Sequence, residues 1–193
     1  MDKILRILSK KIMDKLNVDV QEYAIVLYGI QQTLLIGLNI LTVILLGFLW
    51  GEFLFSILFF VWFAILRPFS GGYHADTELR CYIMSVAMLN IILICKHYVN
   101  FFVWQYLIIW ILAFLIIFRY APVENSSNRL DKSEILVYGK KTRRILFVFS
   151  IFMLLSIIQG LEVIYSSIVF SLFLCSVLVL AGKIKYEKYI VKE

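Results

Sequence analysis

The residues best suited to covalent chemistry are His74 and Cys81, which lie in a polar stretch between two apolar runs. A thiol becomes a nucleophile when it loses its proton, and a neighbouring imidazolium or a helix N-terminus favours the thiolate. On a straight helix their spacing corresponds to a rise of about 10.5 Å, too far for a hydrogen bond. We therefore predict that the chain bends between them, in a loop that leads into a helix starting near Cys81.

The residues around this pair supply turn chemistry and charge. Gly71 and Gly72 favour a turn, because glycine adopts backbone conformations that other residues resist. Arg80 adds positive potential beside the thiol. Asp76 or Glu78 could orient the imidazole as the third member of a catalytic triad does, and the sequence leaves the choice between them open.

Two kinds of group could stabilise an oxyanion that forms near Cys81: backbone amides at the start of its helix, or the Arg67 side chain. Arg67 has an alternative role as an interfacial anchor, because basic residues commonly flank membrane spans. Taken alone, a His/Cys pair at this spacing is a weak signal. The structural alternative is an interfacial histidine and a small core cysteine.

The elements that position these residues are predicted from the apolar runs. Hydrophobic residues make up 62% of the 193 residues, which excludes an ordinary soluble domain. A spanning helix needs about 20 apolar residues. The candidate segments are residues 23–51, 53–66, 81–95, 97–118 and 145–180, the last divided in two by Glu162. We predict an all-α, polytopic integral membrane protein with about six transmembrane helices, two of them short, in one domain over residues 1–193. Four spans with two re-entrant segments are the alternative.

The distribution of charge predicts the topology. Of the 19 lysines and arginines, 18 fall in residues 1–22, 67–80 and 119–144 and in the tail from residue 183. These segments alternate with spans, so the positive-inside rule predicts that both termini and the loop over residues 67–81 are cytoplasmic. Since the cations lie between apolar runs and do not cluster on one face among aromatic residues, we do not expect the protein to bind nucleic acid. The three cysteines have no metal-ligand spacing, and no metal is expected.

The first 22 residues predict an amphipathic helix at the membrane interface. Leu5, Leu8, Ile12 and Leu16 recur close to helical spacing, with lysines largely on other faces. Such a helix can anchor the chain to lipid or dock a partner's amphipathic helix, and the sequence leaves both open.

A resemblance to a known family rests on the motif around the candidate site. The pattern Arg67, Gly71-Gly72-Tyr73-His74-Ala75 and Cys81, in a membrane protein with six apolar runs, resembles the accessory gene regulator B family of quorum-sensing propeptide processors. The stretch Ala121-Pro122-Val123-Glu124 followed by Asn128-Arg129 is similar to that family's second motif, with an additional residue before the asparagine.

The resemblance implies a membrane cysteine endopeptidase in which Cys81 is the nucleophile and His74 its base. Its substrate would be a small amphipathic propeptide, whose C-terminal tail is removed and whose remainder is closed into a thiolactone or lactone ring. It also implies a multi-pass protein of the bacterial plasma membrane, no cofactor, and a homodimer. The basic cluster Lys140, Lys141, Arg143 and Arg144 would attract an acidic tail of the propeptide, or serve topology alone.

Two functions of other classes remain as alternatives. A small transporter or channel would use Glu52, Lys96 and Glu162 as groups along its pathway, although all three fall at predicted turns. A noncatalytic membrane subunit would dock a partner helix through its N-terminal segment, and Cys81 would then be dispensable.

Overall fold

The computed structural model describes the backbone of residue 7 and of residues 23–73, 75, 77–124 and 130–190. The predicted N-terminal amphipathic helix lies outside these residues, apart from Ile7, whose side chain is exposed. In the described part of the chain the helices are α1 Tyr23–Leu49, α2 Phe53–Ser70, α3 Glu78–Tyr98, α4 Val103–Tyr120, α5 Lys132–Ile158 and α6 Glu162–Ile190. The prediction of an all-α polytopic membrane protein is confirmed.

Five of these helices are long and apolar enough to cross a membrane. They contain the segments Gly29–Leu49, Phe53–Ser70, Leu79–Tyr98, Val103–Tyr120 and Glu162–Lys185. The two runs predicted to be short lie in continuous helices of 18 and 21 residues, because α2 continues through Arg67 and α3 begins before Arg80. The helix with the shortest apolar length is instead α5, which is basic up to Arg144 and apolar only over residues 145–158.

Helix α6 forms the centre of the packing. Ile168, Val169, Leu172, Cys175 and Val179 have no exposed surface, and α2, α4 and α5 pack around this helix. Small polar residues let the helices approach one another closely, as is common in membranes. An example is Ser167 of α6, whose hydroxyl accepts a hydrogen bond from Trp62 Nε1 of α2 at 3.2 Å.

Helices α1 and α3 run in the same direction, side by side. Thr42 Oγ1 and Tyr82 Oη are 2.7 Å apart, and Trp50 Nε1 donates to Asn90 Oδ1 at 2.9 Å. Both pairs join residues that are 40 apart in sequence. The constant offset shows that the two helices are parallel and in register, which places Cys81 alongside the C-terminal half of α1.

The segments between the helices meet at two opposite ends of the bundle. At one end residue 71 forms a parallel β-bridge with residue 123, and Lys141 lies 5.1 Å from the ring centroid of Phe69. At the other end Lys96 forms an ion pair with Glu162. Of the basic segments predicted to share one side of the membrane, the described parts of residues 67–80, of residues 119–144 and of the tail from residue 183 therefore lie together at one end of the bundle.

Candidate active site

The cysteine lies in the first turns of α3. Thr77 caps this helix: its hydroxyl accepts a hydrogen bond from the Arg80 amide at 3.3 Å, and the Cys81 amide donates to Thr77 O at 3.0 Å. The helix thus begins at Glu78, one turn earlier than the predicted start near Cys81, because threonine is a favoured N-cap residue. The Cys81 amide is consequently engaged in the helix and is not directed at an oxyanion.

Residues 71–73 form the turn that precedes the candidate histidine, and we call them the glycine turn. Gly71 and Gly72 have φ angles of 64° and 111°, which disfavour any residue with a side chain. The Gly72 amide donates to Val123 O at 3.2 Å, and the Tyr73 amide donates to Leu178 O of α6 at 2.8 Å. The turn is therefore attached to the rest of the protein on two sides, and the prediction of a turn at these glycines is confirmed.

Arg67 holds the glycine turn from the inside. Its guanidinium donates hydrogen bonds to Gly71 O through Nη1 and to Tyr73 O through Nη2. The Arg67 side chain is half-buried. The structure thus gives Arg67 a third role beside the two considered from the sequence, namely fastening the backbone that leads to His74.

Cys81 opens onto a cavity of about 350 Å³ between α1, α2, α3 and α6. Arg67, Tyr73 and Ala75 line the same cavity, and Asn39 and Thr42 contribute polar groups from α1. The remaining wall is largely apolar and includes Phe59, Phe60, Phe63, Met84, Met88, Leu89, Leu174 and Leu178. A cavity of this size with few convergent polar groups is typical of a ligand site.

His74 and Asp76 lie outside the described residues, as does the side chain of Glu78. The residues on either side of His74, Tyr73 and Ala75, both line the cavity that Cys81 lines. The described residues between Gly71 and Thr77 are not helical, and the bend between His74 and Cys81 stays a prediction. Arg80 is exposed in the first turn of α3.

The basic cluster predicted to lie in a loop is part of α5. This helix begins at Lys132, after a capping box in which the Asp131 amide donates to Glu134 Oε2 at 3.0 Å. The side chains of the cluster are exposed and belong to Lys140, Lys141, Arg143 and Arg144. Because Lys141 lies over Phe69, the cluster is at the same end of the bundle as the glycine turn.

Sequence reasoning missed one residue of this region and left another undecided. Gly182 of α6 lies against the glycine turn, and nothing in its surroundings along the chain marks it as part of a site. Asn39 is a polar residue in an apolar span, where its type is compatible with helix packing, with dimer contacts and with lining the site. The structure places it in the wall of the cavity.

Comparison with known proteins identifies the family. The model of the family described as "AgrB: Accessory gene regulator B" matches residues 2–180. The chain belongs to the accessory gene regulator B family. Membership of this family fits a role in autoinducing-peptide processing and, with the five apolar helices, supports a multi-pass membrane protein.

Curated relatives of the chain come from Clostridium perfringens. It is 25% identical to the "Putative AgrB-like protein" of strain SM101 / Type A over 169 residues, covering 81% of this chain and 77% of that protein. It is 26% identical to the "Putative AgrB-like protein 2" of strain 13 / Type A over 144 residues, covering 69% of this chain and 65% of that protein. No solved structure matches the chain.

Proposed function

We propose that this protein is a membrane cysteine endopeptidase that removes the C-terminal tail of a small quorum-sensing propeptide and promotes closure of the remainder into a thiolactone or lactone. The observation that carries the proposal is the cavity that Cys81 shares with Arg67 and with both neighbours of His74. Family membership supports the choice of a propeptide as substrate.

The proposed reaction has two acyl transfers. The Cys81 thiolate attacks the carbonyl carbon at the scissile bond, the C–N bond breaks, and His74 delivers a proton to the departing amine. The tail leaves, and the propeptide is held as a thioester on Cys81. A cysteine thiol of the propeptide then gives its proton to His74, which the first transfer left neutral, and attacks that thioester, so that the Cys81 thiolate is released and the ring is closed.

The apolar wall of the cavity favours ring closure over hydrolysis in this scheme. Water must be kept from the thioester while the propeptide's own thiol, tethered nearby, is present at high effective concentration. The aromatic, methionine and leucine residues that line the cavity together with Cys81 give such an environment. Arg67, Gly71 and Gly72 act in the proposal by fixing the backbone before His74, and Asp76, Glu78 and Arg80 are its candidate supporting groups.

The proposal also assigns orientation and partners. Positive-inside topology puts the basic end of the bundle, with the glycine turn and the cluster on α5, in the cytoplasm. The proposed partners are lipid, a second copy of the chain and the propeptide, whose acidic tail the cluster attracts. The transporter hypothesis has weaker support than the endopeptidase hypothesis. Lys96 and Glu162 pair with each other at helix ends and lie outside the apolar centres of the spans.

The test is processing of a short amphipathic propeptide with an acidic C-terminal tail, co-reconstituted with this protein in liposomes and followed by mass spectrometry of the released tail. We expect Cys81→Ala and His74→Ala to abolish tail removal, while Cys95→Ala, which alters a half-buried thiol elsewhere on α3, leaves it intact. Tail removal that continues in both the Cys81 and the His74 variants would exclude the endopeptidase function.

A further inference from the structure

The last turns of α6 form a surface against which the glycine turn lies. Leu174 and Leu178 line the cavity, and Gly182 and Lys185 continue the same face of the helix toward its C-terminal end. Gly182 and Lys185 lie beyond residue 180, where the match to the family ends.

Gly182 permits the closest backbone approach in this region. A Cβ atom built on Gly182 would lie 2.5 Å from Gly72 C and 2.5 Å from Tyr73 N. From the opposite side, a Cβ on Gly72 would lie 2.7 Å from Leu178 O. Since all of these neighbours are backbone atoms, no rotation of a side chain can relieve the contact. Only glycine at both positions lets the two backbones meet.

The hydrogen bond that this approach allows lies one helical turn from Gly182. In a regular helix the carbonyl of residue 178 accepts from the amide of residue 182. The same Leu178 oxygen accepts a hydrogen bond from the Tyr73 amide at 2.8 Å. The glycine turn can reach this carbonyl only because residue 182, as a glycine, has no side chain to cover it.

Lys185 adds a second contact from the same face. Its Nζ lies 4.9 Å from the centroid of the Tyr73 ring, within the range of a cation–π interaction. Tyr73 is thus held to α6 both through its amide and through its ring, and it is the residue directly before His74.

We propose that Gly182 and Lys185 are positioning residues that dock the glycine turn onto α6 and so set the distance between His74 and the Cys81 thiol. The inference rests on the proposed role of His74 as the base. The C-terminal turns of α6, for which the sequence alone indicates no function, thereby take part in organising the site.

The main test uses Gly182→Ala with Gly37→Ala as its matched control. Gly37 is also a helical glycine, but a Cβ added there meets nothing within 4 Å. A methyl group on residue 182 forces the turn away by about 1 Å, and a displacement of that size costs about 100-fold in rate at a catalytic site. We expect kcat for tail removal to fall about 10- to 100-fold with KM within about twofold, and Gly37→Ala to match the unmodified protein.

A second readout does not depend on the propeptide. The rate of alkylation of Cys81 by a small maleimide is measured in a background with Cys95 and Cys175 replaced by alanine, for Gly182→Ala, His74→Ala and the double variant. If Gly182 acts through His74, the two effects are not additive, and the double variant reacts at the rate of His74→Ala. A Gly182→Ala effect of the same size with and without His74 would overturn the proposal.

Lys185 provides the test if Gly182→Ala does not fold. Lys185→Gln removes the cation over Tyr73 and should lower the alkylation rate of Cys81 about two- to fivefold, whereas Lys185→Arg keeps the cation and should restore it. Equal rates for the two variants would exclude the docking role of Lys185. Failure of the proposed endopeptidase function gives a different result. In that case the Cys81→Ala variant still removes the tail, while the effects of Gly182→Ala and His74→Ala on the alkylation rate of Cys81 remain non-additive.

Discussion

Arg67→Lys tests whether the position of the glycine turn depends on a forked donor. The guanidinium reaches Gly71 O and Tyr73 O through two different nitrogens, whereas a lysine ammonium is a single point of charge. Lysine has three N–H donors on a single nitrogen, which cannot occupy the positions of both guanidinium nitrogens, so we expect it to keep only one of the two hydrogen bonds at full strength. A hydrogen bond from a charged donor contributes about 1.5 to 3 kcal/mol, and each 1.4 kcal/mol is about a factor of ten. The docked population of the turn, and with it the rate of tail removal, should fall about 10- to 100-fold.

The assay is the initial rate of tail release in liposomes that contain equal amounts of folded protein, checked by the thermal unfolding midpoint in detergent. Arg119→Lys is the matched control, because Arg119 is exposed and lies over the ring of Tyr120, a contact that lysine can also make. Its rate should stay within about twofold of the unmodified protein. An Arg67→Lys variant that is folded and removes the tail at the full rate would show that the glycine turn does not need two donor nitrogens. The role assigned to Arg67 would then be wrong.

Three further changes have expected outcomes. Tyr106 is fully buried, and its hydroxyl has no hydrogen-bond partner among the described residues, so Tyr106→Phe should leave the free energy of unfolding in mixed micelles unchanged or raise it by about 1 to 2 kcal/mol; a clear decrease would reveal a partner. Gly47→Ala places a methyl group against Ser56 Oγ where α1 crosses α2, and should lower that free energy by about 1 to 3 kcal/mol. Reversing the charges of Lys140 and Arg144, both exposed, should weaken binding of a propeptide with an acidic tail, more at low salt than at high salt. Unchanged binding at low salt would remove the docking role of the cluster.

The helices were predictable because spans are set mainly by local composition, but their ends were not. Arg67 and Arg80 mark the ends of the apolar runs, yet both lie inside helices. Arg67 remains in α2 because its charge is satisfied by the carbonyls of the glycine turn, and Arg80 lies in α3 because Thr77 caps the helix before it. A charge therefore ends the apolar run without ending the helix, which is why the segments taken to be short are long enough to span.

The motif at the candidate site was visible in the sequence, whereas its support was not. Gly71, Gly72 and Cys81 lie within eleven residues of one another, so turn chemistry and spacing could be read locally. The partners of the turn, Val123 and Leu178, are about 50 and 105 residues away, and a backbone carbonyl has no sequence signature. Gly182 illustrates the limit: it lies inside α6, where the sequence around it has no turn signal, and only the approach of a distant backbone shows its purpose.

The two halves of the proposed site are attached to different parts of the bundle. Cys81 is carried by α3, which packs mainly against α1, while the glycine turn is fastened to α6. The distance between the Cys81 thiol and the glycine turn therefore depends on how α1 and α2 pack against each other. Gly47 lies in that path, since Ser56 Oγ of α2 donates to Val43 O of α1 at 3.3 Å, and Val43 lines the cavity. Gly47→Ala should consequently slow tail removal even under conditions in which the variant is fully folded, because a shift between α1 and α2 moves the thiol relative to the turn.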